Sequence, residues 1–318
     1  MAIWQSCWLN VIRLQPGYFS RMRAYLSEMY PVPSRLALSS LTYFGVMSLL
    51  REIHGIVMPV TFLLSLVGIG SLFSLMLVIR LMDELKDKDS DREHFPYRPL
   101  PSGRVFESDI AATIAACSLF YMLANITSGA SFWGALLALT YAFLMFKHFF
   151  IPRILKKSLL LTVATHNPLV PIMLFYILTV FSVETRVPLS RIDWSASLLL
   201  IFMNWAIVFA WEIARKTRCE EEETAYVTYS QIFGRTGAVL IAGGAQSATF
   251  AIGLYFAWTL PLSPEFVVLW GVAYAIPISG YARFLLNPRP ASAKLGRCAE
   301  LYMMAALGIQ TLEYAVRA

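Results

Sequence analysis

Charged residues are scarce in this 318-residue sequence. Asp, Glu, Lys and Arg make up 14% of it, whereas hydrophobic residues make up 58%. An ordinary soluble domain carries about 25% charged residues. The scarcity of charge therefore excludes a soluble globular protein of this length. Together with a mean hydropathy of +0.60, it indicates a chain that lies largely within a membrane.

Cysteine and histidine are also rare, with four of each. The cysteines form no Cys-x-x-Cys pair and have no histidine at ligand spacing, so we expect free thiols rather than a zinc site. No aromatic–basic pattern marks a nucleic-acid groove. The net charge of +6 therefore indicates membrane topology and contact with anionic lipid headgroups, not nucleic acid.

Apolar runs are abundant, and many approach or exceed the length of about 20 residues that crosses a bilayer as a helix. They predict a single all-α, polytopic membrane domain over 1–318. Its first part, 1–34, is expected to be a cytoplasmic or interfacial segment. Met1 to Ile12 is expected to lie at the membrane interface. The nine predicted transmembrane helices are 35–52, 56–82, 107–126, 130–149, 158–182, 195–215, 236–259, 264–287 and 293–316.

The distribution of basic residues tests this topology. Nine spans put 22 of the 26 Lys and Arg residues on one side of the membrane, and only Arg51, Arg186, Arg191 and Arg317 on the other. By the positive-inside rule, the N-terminus and the loops that follow even-numbered spans face the cytoplasm. We expect an integral protein of a bacterial-type inner membrane.

An acidic loop, 83–105, directly follows the second apolar run. Asp83, Asp87 and Asp91 recur every fourth residue, so on a helix they share one face and repel one another unless a cation lies among them. Mg²⁺ is usually held by one or two carboxylates together with substrate phosphates. Arg98 and Arg104, just downstream, suit phosphate binding. The alternative is a solvated charged loop between two spans.

The segment from Asp83 to Gly103, with its Arg-Pro-Leu-Pro-Ser-Gly tail, resembles the first aspartate-rich motif of the UbiA-type intramembrane prenyltransferase superfamily. The resemblance implies that the three aspartates are catalytic and hold Mg²⁺ on a prenyl diphosphate. It also implies a central, lipid-open chamber for the prenyl tail, with cytoplasmic caps over the diphosphate.

A second acidic loop, 212–235, follows the sixth apolar run and repeats the four-residue spacing with glutamates and a lysine. The family normally carries aspartates here, and this chain has none after Asp193. Fewer metal ligands and more direct contacts from basic residues are therefore expected. An alternative is a simple ion pair at the helix end. The candidates are Glu212 and Glu220 for the metal, and Arg215 and Lys216 for the diphosphate.

Four further residues are candidates for substrate binding. The family resemblance implies that Lys147, at the end of the fourth span, meets the diphosphate, although it could equally extend to the headgroups. His166 and Asn167 are costly inside a membrane helix, which favours a cavity-facing role over a satisfied kink at Pro168. Asn204 lies two turns before Glu212 on the same helix face.

These features favour a Mg²⁺-dependent prenyltransferase that joins a prenyl group to an aromatic or other lipophilic acceptor. A terpene cyclase of the same superfamily would ionise the same donor and is the alternative. A secondary transporter is disfavoured because the carboxylates cluster at cytoplasmic helix ends, whereas transporter sites usually lie near the middle of the bilayer.

Overall fold

A computed structural model describes residues 17–56, 61–126, 129–155, 158–224 and 227–317. The proposed interfacial segment from Met1 to Ile12 lies outside these ranges. The described residues form helices and short turns without strands. The helices are α1 Tyr18–Met29, α2 Val32–His54, α3 Phe62–Lys86, α4 Lys88–His94, α5 Glu107–Asn125, α6 Ala130–Phe146, α7 Pro152–Leu155, α8 Leu159–His166, α9 Leu169–Thr185, α10 Trp194–Arg215, α11 Tyr229–Thr259, α12 Pro264–Leu286 and α13 Leu295–Arg317.

Each predicted apolar range contains a helix, but not every helix satisfies the length and hydropathy of a membrane span. Six segments do so among the described residues: α3, α5, the α8–α9 pair, α10, α11 and α12. The apolar helix α6 is shorter, and α2 and α13 are not among the six. The chain is therefore all-helical with several potential membrane spans, whereas nine spans stay a prediction.

Polar residues and proline set where several helices begin. Asp193 accepts a hydrogen bond from the backbone N–H of Ala196, and Ser263 accepts one from Phe266, so each caps the first turn of its helix. The fifth predicted span is broken, because Asn167 and Pro168 separate α8 from α9. Proline lacks the N–H that a continuous helix requires.

The long helices pack in chain order, and the last returns to the first. Neighbouring pairs run α2–α3, α3–α5, α5–α6, α6–α9, α9–α10, α10–α11, α11–α12 and α12–α13, and α13 then packs on α2. Gly45 permits the last contact. A Cβ atom there would lie 3.0 Å from the carbonyl oxygen of Leu307 and 3.2 Å from Cβ of Gln310.

A buried ion pair joins the helices at the end of the bundle opposite the acidic loops. Arg51, in the last turn of α2, lies 3.2 Å from Glu184 in the last turn of α9. Both side chains are at most 4% exposed. Glu184 also accepts the backbone N–H of Thr61, at 2.9 Å, just before α3. One carboxylate therefore fixes three chain segments to one another.

Candidate active site

The first acidic loop begins where α3 ends. Asp87 caps α3, and α4 starts at the next residue, so the expected continuous acidic helix is interrupted there. The backbone nonetheless keeps helical hydrogen bonds from Asp87 N to the Asp83 carbonyl and from Asp91 N to the Asp87 carbonyl, at 2.9 and 2.8 Å. The four-residue spacing therefore survives the change of helix.

The three aspartates have different surroundings. Asp83 forms an ion pair with Lys86 at 2.7 Å, and Asp91, which is 7% exposed, forms one with Arg98 at 2.7 Å. Asp87 has no side-chain hydrogen bond or ion pair among the described residues. Solvent reaches it, yet the surrounding protein still reduces its hydration and raises its pKa, and the charges of Asp83 and Asp91 raise this pKa further, against Lys86 and Arg80. Asp87 is thus the carboxylate whose charge is least compensated by a direct partner.

A buried carboxylate that the spacing argument missed lies beside these acids. Glu84 is 1% exposed and pairs with Arg80, one turn earlier on α3. Tyr25 of α1 is fully buried within electrostatic range of both. Glu84 and Arg80 stand four residues apart, which is the sequence signal for such a pair. The Arg80–Glu84 ion pair and the buried Tyr25 ring stabilise the C-terminal end of α3.

Helix α1 is fastened to the acidic loop by charged contacts. Arg21 donates to both carboxylate oxygens of Asp109 on α5, at 2.6 and 2.7 Å. Arg104 donates to both oxygens of Glu28, at 2.7 and 3.0 Å, and to the Tyr97 carbonyl at 2.7 Å. Arg104 was predicted to bind phosphate. In this structure its donors hold the loop against α1, and phosphate binding by Arg104 stays a prediction.

We expect Glu28→Gln to loosen this loop with a small loss of stability. The pair is exposed, so about 0.2–1 kcal/mol is anticipated. The Arg104 hydrogen bond lowers the pKa of Glu28 below its usual 4.5, so its contribution is present above that pH and disappears as the pH falls through the lowered value. Thermal unfolding in neutral detergent at pH 7 and pH 4 measures this. Glu93→Gln, an exposed acid on α4, is the control, and equal losses in both variants at pH 7 would contradict the contact.

The break in the fifth predicted span has a defined set of partners. Tyr141 on α6 donates to the Thr165 carbonyl at 2.9 Å, and Trp205 on α10 donates to the side-chain oxygen of Asn167 at 3.2 Å. Asn167 therefore joins the kink to α10 through its oxygen. His166 lies within electrostatic range of Lys86 and Asp83, so the kink brings its ring towards the first acidic loop.

Lys147 follows α6 and does not pair with the aspartates. Its ammonium lies 4.9 Å from the ring centre of Phe146, a cation–π contact. The next three residues, His148 to Phe150, all have positive φ angles of 50–61°, a conformation that side chains disfavour. This turn brings Phe149 against Tyr141, with ring centres 5.4 Å apart, and to 6.3 Å from the ring of His166. An aromatic cluster therefore adjoins the kink.

The second acidic loop begins with an ion pair at the end of α10. The sequence analysis had given such a pair as the alternative to a metal and diphosphate site. Glu212 Oε1 lies 3.0 Å from Lys216, and Glu212 Oε2 accepts from Nε of Arg215 at 2.6 Å. Glu220 is exposed on a short 3₁₀ turn. None of these residues forms a hydrogen bond or ion pair with the first acidic loop among the described residues.

A carboxylate that the sequence argument did not single out closes this second loop. Glu223 accepts hydrogen bonds from Thr228 Oγ1 at 2.8 Å and from Ser230 Oγ at 2.6 Å. Ser230 Oγ also accepts the backbone N–H of Arg218. Thr228 and Gln231 form the capping box that starts α11. The acidic run thus contributes to loop structure through Glu223.

Asn204 is buried between α10 and α13. It is 3% exposed, and its side-chain amide exchanges two hydrogen bonds of 3.2 Å with the amide of Gln310 on α13. Its nitrogen also donates to the Leu200 carbonyl at 3.1 Å. These contacts satisfy its polar atoms, so we leave Asn204 out of the proposed substrate site.

Two solved structures are similar to this chain along almost its whole length. One is a digeranylgeranylglyceryl phosphate synthase structure, with 15% identity, a TM-score of 0.61, and alignment over 93% of this chain and 99% of that chain. The other is a UbiA homolog from Aeropyrum pernix K1, with 16% identity, a TM-score of 0.63, and alignment over 88% and 97%. This chain has the UbiA-type fold. No protein-family model and no curated protein matches it by sequence.

The UbiA-type fold raises the question of whether the candidate acids suit Mg²⁺. The described residues contain no group of three His, Cys, Asp or Glu side chains placed as metal ligands. Mg²⁺ does not need one, since one or two carboxylates with substrate phosphates suffice. Asp87 fits this role because it is accessible and lacks a partner, with Asp83 one turn before it. Glu212 does not fit, because both of its oxygens already bond to cations.

Proposed function

We propose that this chain is a Mg²⁺-dependent intramembrane prenyltransferase that transfers a prenyl group from a prenyl diphosphate to an aromatic or other lipophilic acceptor. The proposal includes one domain over 1–318, nine membrane helices around a lipid-open chamber, and cytoplasmic caps at 83–105 and 212–235. The membrane is proposed to be a bacterial-type inner membrane, with the N-terminus and both loops in the cytoplasm.

The observation that carries this proposal is Asp87, an accessible carboxylate without a direct partner at the end of an apolar helix of a UbiA-type fold. Asp83 and Asp91 flank it, and each already lies beside a cation, Lys86 or Arg98. Carboxylates for a divalent cation and basic groups for a diphosphate therefore occur in one short segment. A solvated loop would not need Asp91 to be buried.

The proposed roles follow from these contacts. Asp87 and Asp83 would hold Mg²⁺, which, when bound, neutralises negative charge on the leaving diphosphate. Arg98 and Lys86 would turn from their aspartates towards phosphate oxygens, because charge-assisted bonds to either anion are comparable. Before the diphosphate binds, Asp91 would hold Arg98 beside the site, and the bond from Arg104 to Glu28 would keep the loop itself in position.

Around the reacting carbon, the chain must exclude water from an allylic cation. The cluster of Tyr141, Phe149 and His166 adjoins the first acidic loop and offers ring faces for this purpose. The Tyr141 hydroxyl donates its proton to a hydrogen bond with the Thr165 carbonyl, so this proton already has an acceptor. We propose that the cluster shields the cation, and that Asn167 holds the kink in place through Trp205.

The second loop is proposed to bind diphosphate through basic groups and not through a metal. Lys216 and Arg215 share one carboxylate, Glu212, so the three side chains together carry excess positive charge. This arrangement supports the idea that Lys or Arg contacts replace metal ligands on that side. The same divergence of the second loop, with Glu and Lys in place of aspartates, favours the second candidate function, a terpene cyclase that would ionise the same donor and let the cation close on itself.

The test is diphosphate release by the purified full-length protein in neutral detergent, with Mg²⁺ and geranyl, farnesyl or geranylgeranyl diphosphate. We expect release to depend on an added lipophilic phenol or lipid alcohol, with the prenylated product detected by mass spectrometry. Release without acceptor, accompanied by a cyclic hydrocarbon or alcohol, would establish the cyclase. No release under either condition from folded protein would overturn the prenyl diphosphate proposal.

A further inference from the structure

A second basic region lies outside the first acidic loop, in the last turn of α12, the first turn of α13 and the connection between them. It contains four exposed cations, which we call the basic rim: Arg283, Arg289, Lys294 and Arg297. None of them has a hydrogen bond or ion pair from its side chain to any other described residue. No Asp or Glu occurs from 283 to 299 along the chain, and Glu300 is itself exposed. The rim therefore carries concentrated positive charge, and none of its four cations forms an ion pair with an acid among the described residues.

In the first acidic loop, by contrast, most cations form ion pairs within the chain. Four of its five cations form an ion pair with an acid of the same chain, namely Lys86, Lys88, Arg98 and Arg104, and Arg92 alone has none among the described residues. Unpaired like charges held close together repel one another, which disfavours the folded state unless an outside anion compensates them. The contrast indicates that the counterion of the basic rim comes from outside the chain.

The rim is held in a fixed shape by its own backbone. The hydroxyl of Ser292 donates to the carbonyls of Asn287 and Arg289 and accepts the backbone N–H of Arg289, which folds the connection into a closed turn. Beneath it, Phe284 and Leu295 are buried in a small core with Ile213 and Ala214 of α10. The cations are therefore displayed from an ordered turn.

Close packing joins the rim to the second acidic loop. Gly296, between two of the cations, lies directly against the backbone of Arg215. A Cβ atom at Gly296 would lie 2.8 Å from Cα and 2.9 Å from Cβ of Arg215. Any side chain there would have to displace the end of α10. The position of the rim is thus tied to the helix end that bears Glu212 and Lys216.

An apolar side chain accompanies the charges. Leu286, in the last turn of α12, is 87% exposed and lies between Arg283 and Arg289 in the chain. Cations beside an exposed apolar residue at the end of a membrane-length helix are the chemistry of a lipid interface, where acyl chains meet the apolar residue and headgroup phosphates meet the cations.

We infer that the basic rim is a docking surface for anionic phospholipid headgroups. It would select phosphatidylglycerol-type lipids over zwitterionic ones beside the second acidic loop. This inference does not depend on the proposed transferase activity, because lipid retention is measured without turnover.

The test compares two triple variants of the full chain that remove equal charge. R289Q/K294Q/R297Q neutralises the rim, whereas R23Q/R92Q/R153Q neutralises three exposed cations elsewhere on the same predicted face. Purified protein in neutral detergent is titrated with dioleoyl phosphatidylglycerol or dioleoyl phosphatidylcholine, and bound lipid is counted by native mass spectrometry. The thermal unfolding midpoint, measured in the same detergent, establishes that each variant is folded.

We expect wild-type protein to prefer phosphatidylglycerol and the rim variant to lose at least about tenfold in apparent affinity for it, since each cation near an anionic surface contributes about fivefold. The other triple variant should stay within about twofold of wild type. Equal losses of affinity for phosphatidylglycerol in both variants would show that only net charge matters. That result would overturn the proposal that the basic rim is a specific lipid-binding surface. Wild-type protein without a preference for phosphatidylglycerol would overturn it as well.

Discussion

Replacing Asp87 with asparagine is expected to slow Mg²⁺-dependent diphosphate release by about 10²–10³-fold, the range found when one preorganised electrostatic group is removed from an active site. The amide keeps the size of the side chain but loses the charge. Asp83 would be left as the only one of the two proposed metal ligands, so the charge that Asp87 supplies is not restored. The measurement is the initial rate of release at saturating Mg²⁺ and prenyl diphosphate.

Asp89→Asn is the matched control for this experiment. Asp89 is an exposed acid two residues further on, and no ion pair involves it among the described residues. It removes the same charge from the same loop, so a general effect of loop charge would appear in both variants. A rate for Asp87→Asn within about threefold of the Asp89→Asn rate would contradict the placement of the metal and diphosphate at Asp87.

The largest effect on stability is expected from Glu184→Gln. Loss of its charge leaves the Arg51 guanidinium buried without its carboxylate, and breaking a buried pair in this way costs about 3–5 kcal/mol. The backbone N–H of Thr61 also loses a charged acceptor. We expect a lower free energy of unfolding, measured by thermal and chemical unfolding of the purified protein in neutral detergent.

Two comparisons separate the buried pair from general charge effects. Glu300→Gln removes an exposed acid and should change stability by less than about 0.5 kcal/mol. The double variant Arg51→Met/Glu184→Gln removes both charges and should recover part of the loss, because the buried guanidinium that loses this carboxylate is itself removed. A double variant less stable than Glu184→Gln alone would argue that Arg51 stabilises the fold independently of Glu184.

The sequence was most informative where structure depends on neighbours along the chain. Apolar runs located the helices to within a few residues at most ends, with α10 at Trp194–Arg215 against the predicted 195–215. Pro168 offered a kink in the fifth span as the alternative to a cavity-facing role, and the structure has a break there. The four-residue spacing of Glu212 and Lys216 allowed an ion pair, and the structure contains one. These features are set by helix geometry, which acts over a few residues.

Contacts between distant segments were not predictable in the same way. Arg104 follows an acidic motif and resembles a phosphate ligand in sequence, yet its partner is Glu28, far back on α1. Asn204 shares a helix face with Glu212, yet its amide pairs with Gln310 near the other end of the chain. Polar side chains take the partner that tertiary packing brings to them, and one sequence without homologues carries no signal of such pairs.

The packing of the helices in chain order has a consequence for biogenesis. Each long helix from α3 to α12 contacts the helix made just before it, so hairpins can associate while the ribosome is still adding the rest. The contact between α2 and α13 is different, because α13 is made after all the other described helices. Until α13 is in place, the surface of α2 at Gly45 lacks the helix that packs on it in the folded chain. Insertion of α13 is therefore the event that seals the bundle, and a nascent chain stalled before it would present an open seam to membrane proteases.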